Sequence, residues 1–205
     1  LVTGAAGFVG SHLTELLRAD GLDVVGWHRA GPTPTDATGV RWAAVDMLDR
    51  VAVARELAAL APTAIYHLAG AAHVGQSWTA SRETYEANVR ATHHLFEGLR
   101  VAGLGPRVLV AGSATVYGPR DRPLVESDPL VPRSPYAVSK LAQEMLARQA
   151  CDDGIPALIA RAFNHIGPRQ DPSYVASSIA RQIAGMEAGR LDPVLAVGNL
   201  EPLRD

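Results

Sequence analysis

Tyr136 and Lys140 stand four residues apart in SPYAVSK, residues 134–140. On a helix that spacing puts them one turn apart on the same face. A phenol with the ordinary pKa of about 10 is a poor proton donor or acceptor at neutral pH. An adjacent ammonium favours the phenolate and pulls that value down. Arginine would keep the charge, but its planar fork is larger and aimed differently. Lys140 is the one lysine among the 205 residues; every other long basic side chain is arginine. Scarce lysine is a matter of genome composition, so it carries weight only where lysine survives. Ser113, in VAGSATVYG, ends a predicted strand. Its hydroxyl can hold a substrate oxygen while Tyr136 gives or takes the proton.

A second constellation precedes these three. TGAAGFVGSHL, residues 3–13, places Gly4, Gly7 and Gly10 between the end of a strand and the start of a helix. Gly4 permits the tight turn, Gly7 lets a pyrophosphate approach the backbone, and Gly10 lets the helix pack closely on the sheet. The N–H groups of that helix start, with Phe8 and Val9 in it, and the helix dipole favour phosphates. The glycine spacing alone is a weak signal; the strand before it and the helix after it give the dinucleotide reading its weight.

Other positions extend that reading. VVGWHR ends the second strand on His28 and Arg29, where a carboxylate would hydrogen-bond the adenine ribose of NAD. Arg29 can instead pair with a ribose 2′-phosphate, which favours NADPH over NAD(H); the plain alternative is a solvated loop charge. Asp46 can accept from the adenine amino group with Met47 against the ring, or it can cap the helix that follows. Leu68, Ala69 and Gly70, closing the fourth strand in HLAG, let a cofactor lie against the backbone, or they are ordinary strand-end packing. Asn88, in YEANVRAT, is read as a structural amide.

The elements that must position these residues follow from periodicity. Strands are predicted at 1–3, 23–27, 40–45, 63–68, 107–111 and 157–162, with a short last one at 194–197. Helices are predicted at 8–20 (Leu13, Leu16 and Leu17 on one face), 48–60, 81–102, 134–151 and 173–188. Strands alternating with helices imply βαβ units and a parallel sheet. The rhythm gives way to polar loops near Gly167 and Pro168, which divides the chain into 1–166 and 167–205. The abrupt opening on LVTG and the close on EPLRD read as a fragment, with the second part incomplete.

Composition sets the outer limits. Apolar residues make 47% and charged residues 20% of the chain, which suits a globular fold with a sizeable core. A net charge of −2 offers no basic surplus for nucleic acid or an anionic membrane, so small-molecule chemistry is the default. No apolar run reaches the roughly 18 residues of a membrane span, and no signal-peptide pattern precedes the glycine loop. A cytoplasmic setting is therefore expected. Cys151 is the one cysteine, read as an inert buried thiol. His93 and His94 are read as surface or helix-face residues without metal-ligand spacing. AGSAT lacks the G-x-S-x-G elbow, so Ser113 is not a hydrolase nucleophile.

Glycine loop, strand-end serine and Tyr-x-x-x-Lys together resemble the short-chain dehydrogenase/reductase superfamily. The GAAGFVG spacing and the length are similar to its extended, nucleotide-sugar branch, over essentially the whole chain. The resemblance implies a Rossmann-type α/β fold, a doubly wound parallel sheet with a small C-terminal substrate-binding lobe. It also implies a homodimer built on helices 81–102 and 134–151. Sugar 4,6-dehydratases of this branch carry acidic residues after the catalytic hydroxyl; here Ser113-Ala114-Thr115 has none, which disfavours dehydration. No cysteine stands in the stretch either, which disfavours C3/C5 epimerisation.

RAFNHIGPRQ and VGNLEPLRD are similar to the GDP-4-keto-6-deoxymannose reductases. By that resemblance Asn164, Arg169 and Arg204 are candidates for the diphosphate or sugar, and Ser77 in VGQSW lies close to the expected sugar position. Each of these four alone is equally read as a turn or surface residue. The implied reaction is NADPH-dependent reduction of a GDP-4-keto-6-deoxy sugar. SATVYG resembles the UDP-hexose 4-epimerases, which bind NAD tightly, so a 4-epimerase is the alternative. A non-catalytic, dinucleotide-binding redox sensor is a third reading.

Overall fold

The computed structural model describes residues 1–32, 34 and 39–198. The chain divides into two units at Phe163 and Asn164; the sequence reading put the change after residue 166. The first unit runs β1 (Val2–Thr3), α1 (Phe8–Ala19), β2 (Val25–His28), β3 (Arg41–Ala44), α2 (Arg50–Leu60) and β4 (Ala64–His67). It continues through α3 (Ser81–Tyr85), α4 (Ala91–Val101), β5 (Arg107–Ala111), α5 (Pro135–Asp152) and β6 (Ala157–Ala160). The strands form a parallel six-stranded sheet in the order β3-β2-β1-β4-β5-β6. The chain starts in the middle, works outward to β3, then returns to lay down β4 to β6 on the other side. The order reverses between β1 and β4, and in open sheets ligands bind outside the carboxyl ends of the strands at such a reversal.

Side chains alternate between the two faces of a strand, and the sheet accordingly separates two cores. Val25, Trp27 and Ile65 pack with Leu57, Leu95, Leu99 and Ala147, where α2, α4 and α5 lie side by side. Val2, Val24, Tyr66 and Leu68 pack with Leu13 and Leu17 of α1 on the other face. In α1 the inward stripe is Gly10, Thr14 and Leu17. Leu16, expected on that face, is exposed, because one residue turns the helix by about 100°.

Two glycines bring α1 and the strand ends into register. Gly4 has φ +67°, and a Cβ there would also lie 2.7 Å from the Ala69 nitrogen. A Cβ on Gly10 would lie 2.7 Å from Ala5 Cα. The starts of α2 and α5 are fixed by side chains. Asp49 caps α2, its Oδ1 accepting from the N–H of Val51 and of Ala52 at 3.0 Å each. Asp46, the cap candidate in sequence, instead closes a turn by accepting from Leu48 N at 2.9 Å. Ser134 caps α5 by accepting from Ala137 N, and Pro135 takes the first helical position, where its missing N–H costs nothing.

Three further expectations change. The helix expected at 81–102 ends at Val101 and is not uniformly α: a π turn, Glu86–Arg90, sits between α3 and α4. Cys151 is exposed, not buried, with Sγ beside the backbone of Ala157, where β6 begins. His94 is buried, its Nδ1–H donating to Met47 O at 2.9 Å, which ties α4 to the chain after β3.

The second unit contains α6 (Val175–Glu187). Residues 194–197 do not form a strand. Ala196 makes its two backbone bonds to the Gln182 side-chain amide, 2.8 Å and 3.0 Å, in place of a strand partner. Among the described residues no helix is long and apolar enough to cross a membrane, and no cluster of His, Cys, Asp or Glu is placed to hold a metal ion.

Candidate active site

The carboxyl ends of β1, β4 and β5 meet through a short series of contacts. Gly4, after β1, touches Ala69, after β4. Gly70, the next residue, is so close to Lys140 that a Cβ there would lie 3.8 Å from Nζ. Lys140 Nζ donates to Ala111 O, the last residue of β5, at 3.0 Å. Ser113 stands two residues farther on. The structure thus brings the glycine loop, Leu68–Ala69–Gly70, Ser113 and Lys140 to one end of the sheet.

Lys140 is 7% exposed. Burial lowers its pKa from the usual 10.5 to about 8, so it is charged at neutral pH but only by a modest margin. Its Nζ lies 5.8 Å from the centroid of the Tyr136 ring. Tyr136 sits in the first turn of α5, at the positive end of the helix dipole. Ser113 Oγ lies 2.9 Å from Thr115 Oγ1 and accepts from Thr115 N at 3.2 Å, opening a short 3-10 turn, Ala114–Val116.

Ser77, read in the sequence as close to the sugar, lies inside the fold. It is 0% exposed; its hydroxyl donates to Val74 O at 2.6 Å and accepts from Tyr136 N at 3.2 Å. It satisfies an N–H that the helix start cannot. Its place is under the first turn of α5, beneath Tyr136. Asn164 and Arg169 belong to the second unit and are exposed, Arg169 with φ +69°. Arg204 lies outside the described residues.

A buried polar network supports the site, and sequence reasoning missed most of it. Thr92 Oγ1 donates to Asn88 O at 2.6 Å, so its one proton is used and it must accept from His67 Nε2 at 2.9 Å. His67 Nε2 therefore carries a proton, and with the ring neutral its Nδ1 accepts from Thr3 Oγ1 at 2.8 Å. Burial first, and the Lys140 charge second, lower the His67 pKa to about 3, consistent with a permanently neutral ring. Gln143 Nε2 also donates to Thr92 Oγ1, at 2.6 Å. Asn88 is the structural amide expected: it exchanges bonds with Ala71 N and O and donates to Ser139 Oγ at 2.8 Å. Ser139 Oγ donates to Tyr136 O at 2.7 Å. The available signal was the helical spacing of polar residues on two facing stripes: Asn88 with Thr92, and Tyr136 with Ser139, Lys140 and Gln143.

The geometry fits a dinucleotide. The N-cap of α1 is Gly7, which offers no capping side chain, and the first turn holds no acidic residue, so its N–H groups suit a diphosphate. A Cβ on Gly7 would meet only Gly4 O within 4 Å. Lys140 gives one hydrogen bond among the described residues and has three donors. Arg29 and Asp46 are exposed, after β2 and β3. One cavity, about 940 Å³, lies at the opposite end of the sheet, lined by residues such as Val24, Ala64, Arg107 and Pro156. It contains none of the chemistry-bearing side chains.

The sequence profile of the NAD dependent epimerase/dehydratase family matches residues 1–205. The GDP-6-deoxy-D-mannose reductase of Pseudomonas aeruginosa is 36% identical over all of this chain and 64% of its own length. The structure of RMD from Pseudomonas aeruginosa complexed with NADPH matches with a TM-score of 0.74 and 36% identity, over 92% of this chain and 61% of that one. MoeE5 in complex with UDP-glucose and NAD matches with a TM-score of 0.78 and 38% identity, over 88% of this chain and 59% of that one. The chain thus spans about three fifths of these relatives.

Proposed function

Because the chain belongs to the NAD dependent epimerase/dehydratase family, we propose that its protein reduces the C4 ketone of GDP-4-dehydro-6-deoxy-D-mannose to GDP-D-rhamnose. The observation that carries a reductive site is the buried Lys140 ammonium, 3.0 Å from the end of β5 and 5.8 Å from the Tyr136 ring. The sugar and the reduced cofactor rest on the likeness to the Pseudomonas aeruginosa reductase and to the NADPH complex.

Gly7 and the first turn of α1 would hold the diphosphate, Arg29 the 2′-phosphate, and Lys140 the nicotinamide ribose. NADPH, when bound, supplies the hydride to C4 and leaves as NADP⁺. As the carbonyl π pair moves onto oxygen, Tyr136 gives that oxygen its hydroxyl proton and Ser113 donates a hydrogen bond to it. Lys140 and the helix start hold the resulting phenolate until water returns the proton. Ala114 and Thr115 provide no carboxylate, so these residues offer no acid–base pair for water elimination.

A 4-epimerase with retained NAD is the second reading, favoured by the likeness to MoeE5 with UDP-glucose and NAD. The purified full-length protein separates the two. A reductase consumes NADPH stoichiometrically with the GDP-keto sugar; an epimerase carries NAD through purification and interconverts C4 epimers without added cofactor. In the reductase, Arg29→Ala should raise the KM for NADPH about 10- to 100-fold, the worth of one to two charge-assisted hydrogen bonds, and leave that for NADH within twofold. Equal loss with both cofactors would remove Arg29 from the 2′-phosphate. The homodimer would pair α4 and α5, whose exposed side chains include Val138 and Met145 on α5; sedimentation velocity at micromolar concentration should give a single dimer boundary, and a monomer boundary would rule this out.

A further inference from the structure

Arg161 directly follows β6 and uses its guanidinium on three separate segments. Nε donates to Glu144 Oε1 at 2.9 Å and Oε2 at 3.2 Å, and Nη2 to Oε2 at 2.8 Å. Nη1 donates to Tyr117 OH at 2.5 Å and to Glu126 O at 3.0 Å. The guanidinium carbon lies 4.9 Å from the Tyr117 ring centroid. Glu144 is 0% exposed. A carboxylate so buried is expensive unless a fork-shaped partner satisfies it. The hydrogen bonds to Glu144, above all, hold Arg161 protonated beyond its ordinary range.

Two of the three segments carry the proposed chemistry, and the third connects them. Glu144 lies one helical turn beyond Lys140 on α5, and Tyr136 one turn before it. Tyr117 directly follows the 3-10 turn that Ser113 opens. Glu126 belongs to the excursion between β5 and α5, which is tied back by Val131 N to Val116 O at 2.8 Å. Successive turns of α5 also grip successive residues of the strand end. Lys140 binds Ala111 O, and a Cβ on Gly112 would lie 3.3 Å from Glu144 Oε1 and 2.9 Å from Ile159 Cγ2. Ser113 is the next residue.

We propose that Arg161, with Glu144 and Tyr117, is a positioning device that sets the interval between the Ser113 hydroxyl and the Tyr136–Lys140 helix. It touches no reacting atom and acts through the two elements it joins. A shift of about 1 Å between groups that must address one oxygen is enough to cost catalysis heavily. Lysine at this position would keep the charge but could not reach Glu144, Tyr117 and Glu126 at once. The claim rests on the proposed reductive site, and the test separates the two.

In the full-length protein, Arg161→Lys should lower kcat about tenfold or more while the Kd for NADPH stays within threefold. The deciding readout is a double-mutant cycle with Ser113→Ala. If Arg161 acts through Ser113, Ser113→Ala costs at least fivefold less in the Arg161→Lys background than in the parent. Equal factors in both backgrounds would assign Arg161 to general stability and overturn the proposal. Tyr117→Phe, which deletes only the phenol oxygen, should show the same non-additivity in smaller measure, about two- to threefold, and serves if the lysine variant folds poorly. Amide hydrogen exchange needs no turnover. Thr115 and Tyr117 amides should exchange about tenfold faster in either variant, with Val25–His28 of β2 unchanged. Unaltered exchange at 115 and 117 also overturns the proposal, whereas a parent that exchanges as expected but never reduces the keto sugar overturns only the assigned reaction.

Discussion

Replacing Tyr136 with phenylalanine should slow reduction of the keto sugar about a thousandfold and leave NADPH binding within threefold. The substitution removes one oxygen and little else. The ring is 8% exposed and keeps its packing, and the bonds of residue 136 to Ser77 and Ser139 run through the backbone. Loss of the proton donor leaves the alkoxide to be protonated by water in a site held by Ser113 alone. General acid catalysis by a placed side chain is worth about 10²- to 10⁴-fold, which sets the expected size. Single-turnover NADPH oxidation gives the rate, and quenching of protein fluorescence gives the binding. A variant that kept a tenth of the parental rate would remove Tyr136 from the chemistry. A parent that bound NADPH and reduced no nucleotide sugar would instead favour the redox-sensor reading.

Lys140→Met should abolish activity to a similar degree and yet stabilise the fold at pH 7. The folded-state pKa of about 8 lies below the ordinary 10.5, so folding disfavours the charged form. That penalty is complete below pH 8, where both states are protonated. It is relieved as pH rises from about 8 to about 10.5, because the folded chain then binds fewer protons than the unfolded one. At about 1.4 kcal/mol per pH unit the interval amounts to roughly 3 kcal/mol. Losing the bond to Ala111 O takes back about 1–2 kcal/mol. A net gain of about 1–2 kcal/mol is therefore expected near neutrality, shrinking or reversing by pH 10. Denaturant unfolding of both proteins at pH 7 and pH 10 measures it. An unchanged difference between the two would mean that the ammonium is not held at a cost.

Local chemistry made much of the site legible. Gly4 could be read because its turn and the contact with Ala69 leave no room for a side chain, and Tyr136 and Lys140 because four residues are one helical turn. Partners supplied by distant elements were not legible. Glu144 and Arg161 are 17 residues apart on a helix and after a strand, and nothing local marks the glutamate as buried. For Ser77 only its position along the chain was legible; the fold places it against the first turn of α5. Asp46 and Asp49 are both suited to begin a helix, and the choice between them fell to which could reach two N–H groups. The strand expected at 194–197 is absent, and the backbone of Ala196 bonds the Gln182 side chain in place of another strand.

The solitary lysine has a practical corollary. Its ε-amine is the one side chain of its kind in these 205 residues, buried at the meeting point of three strand ends and half neutral near pH 8. A small acylating reagent applied at that pH would, within these residues, mark one interior lysine. Shielding of that mark by a bound dinucleotide could be followed from the mass of one peptide, making the residue a built-in footprinting probe for occupancy of the cleft.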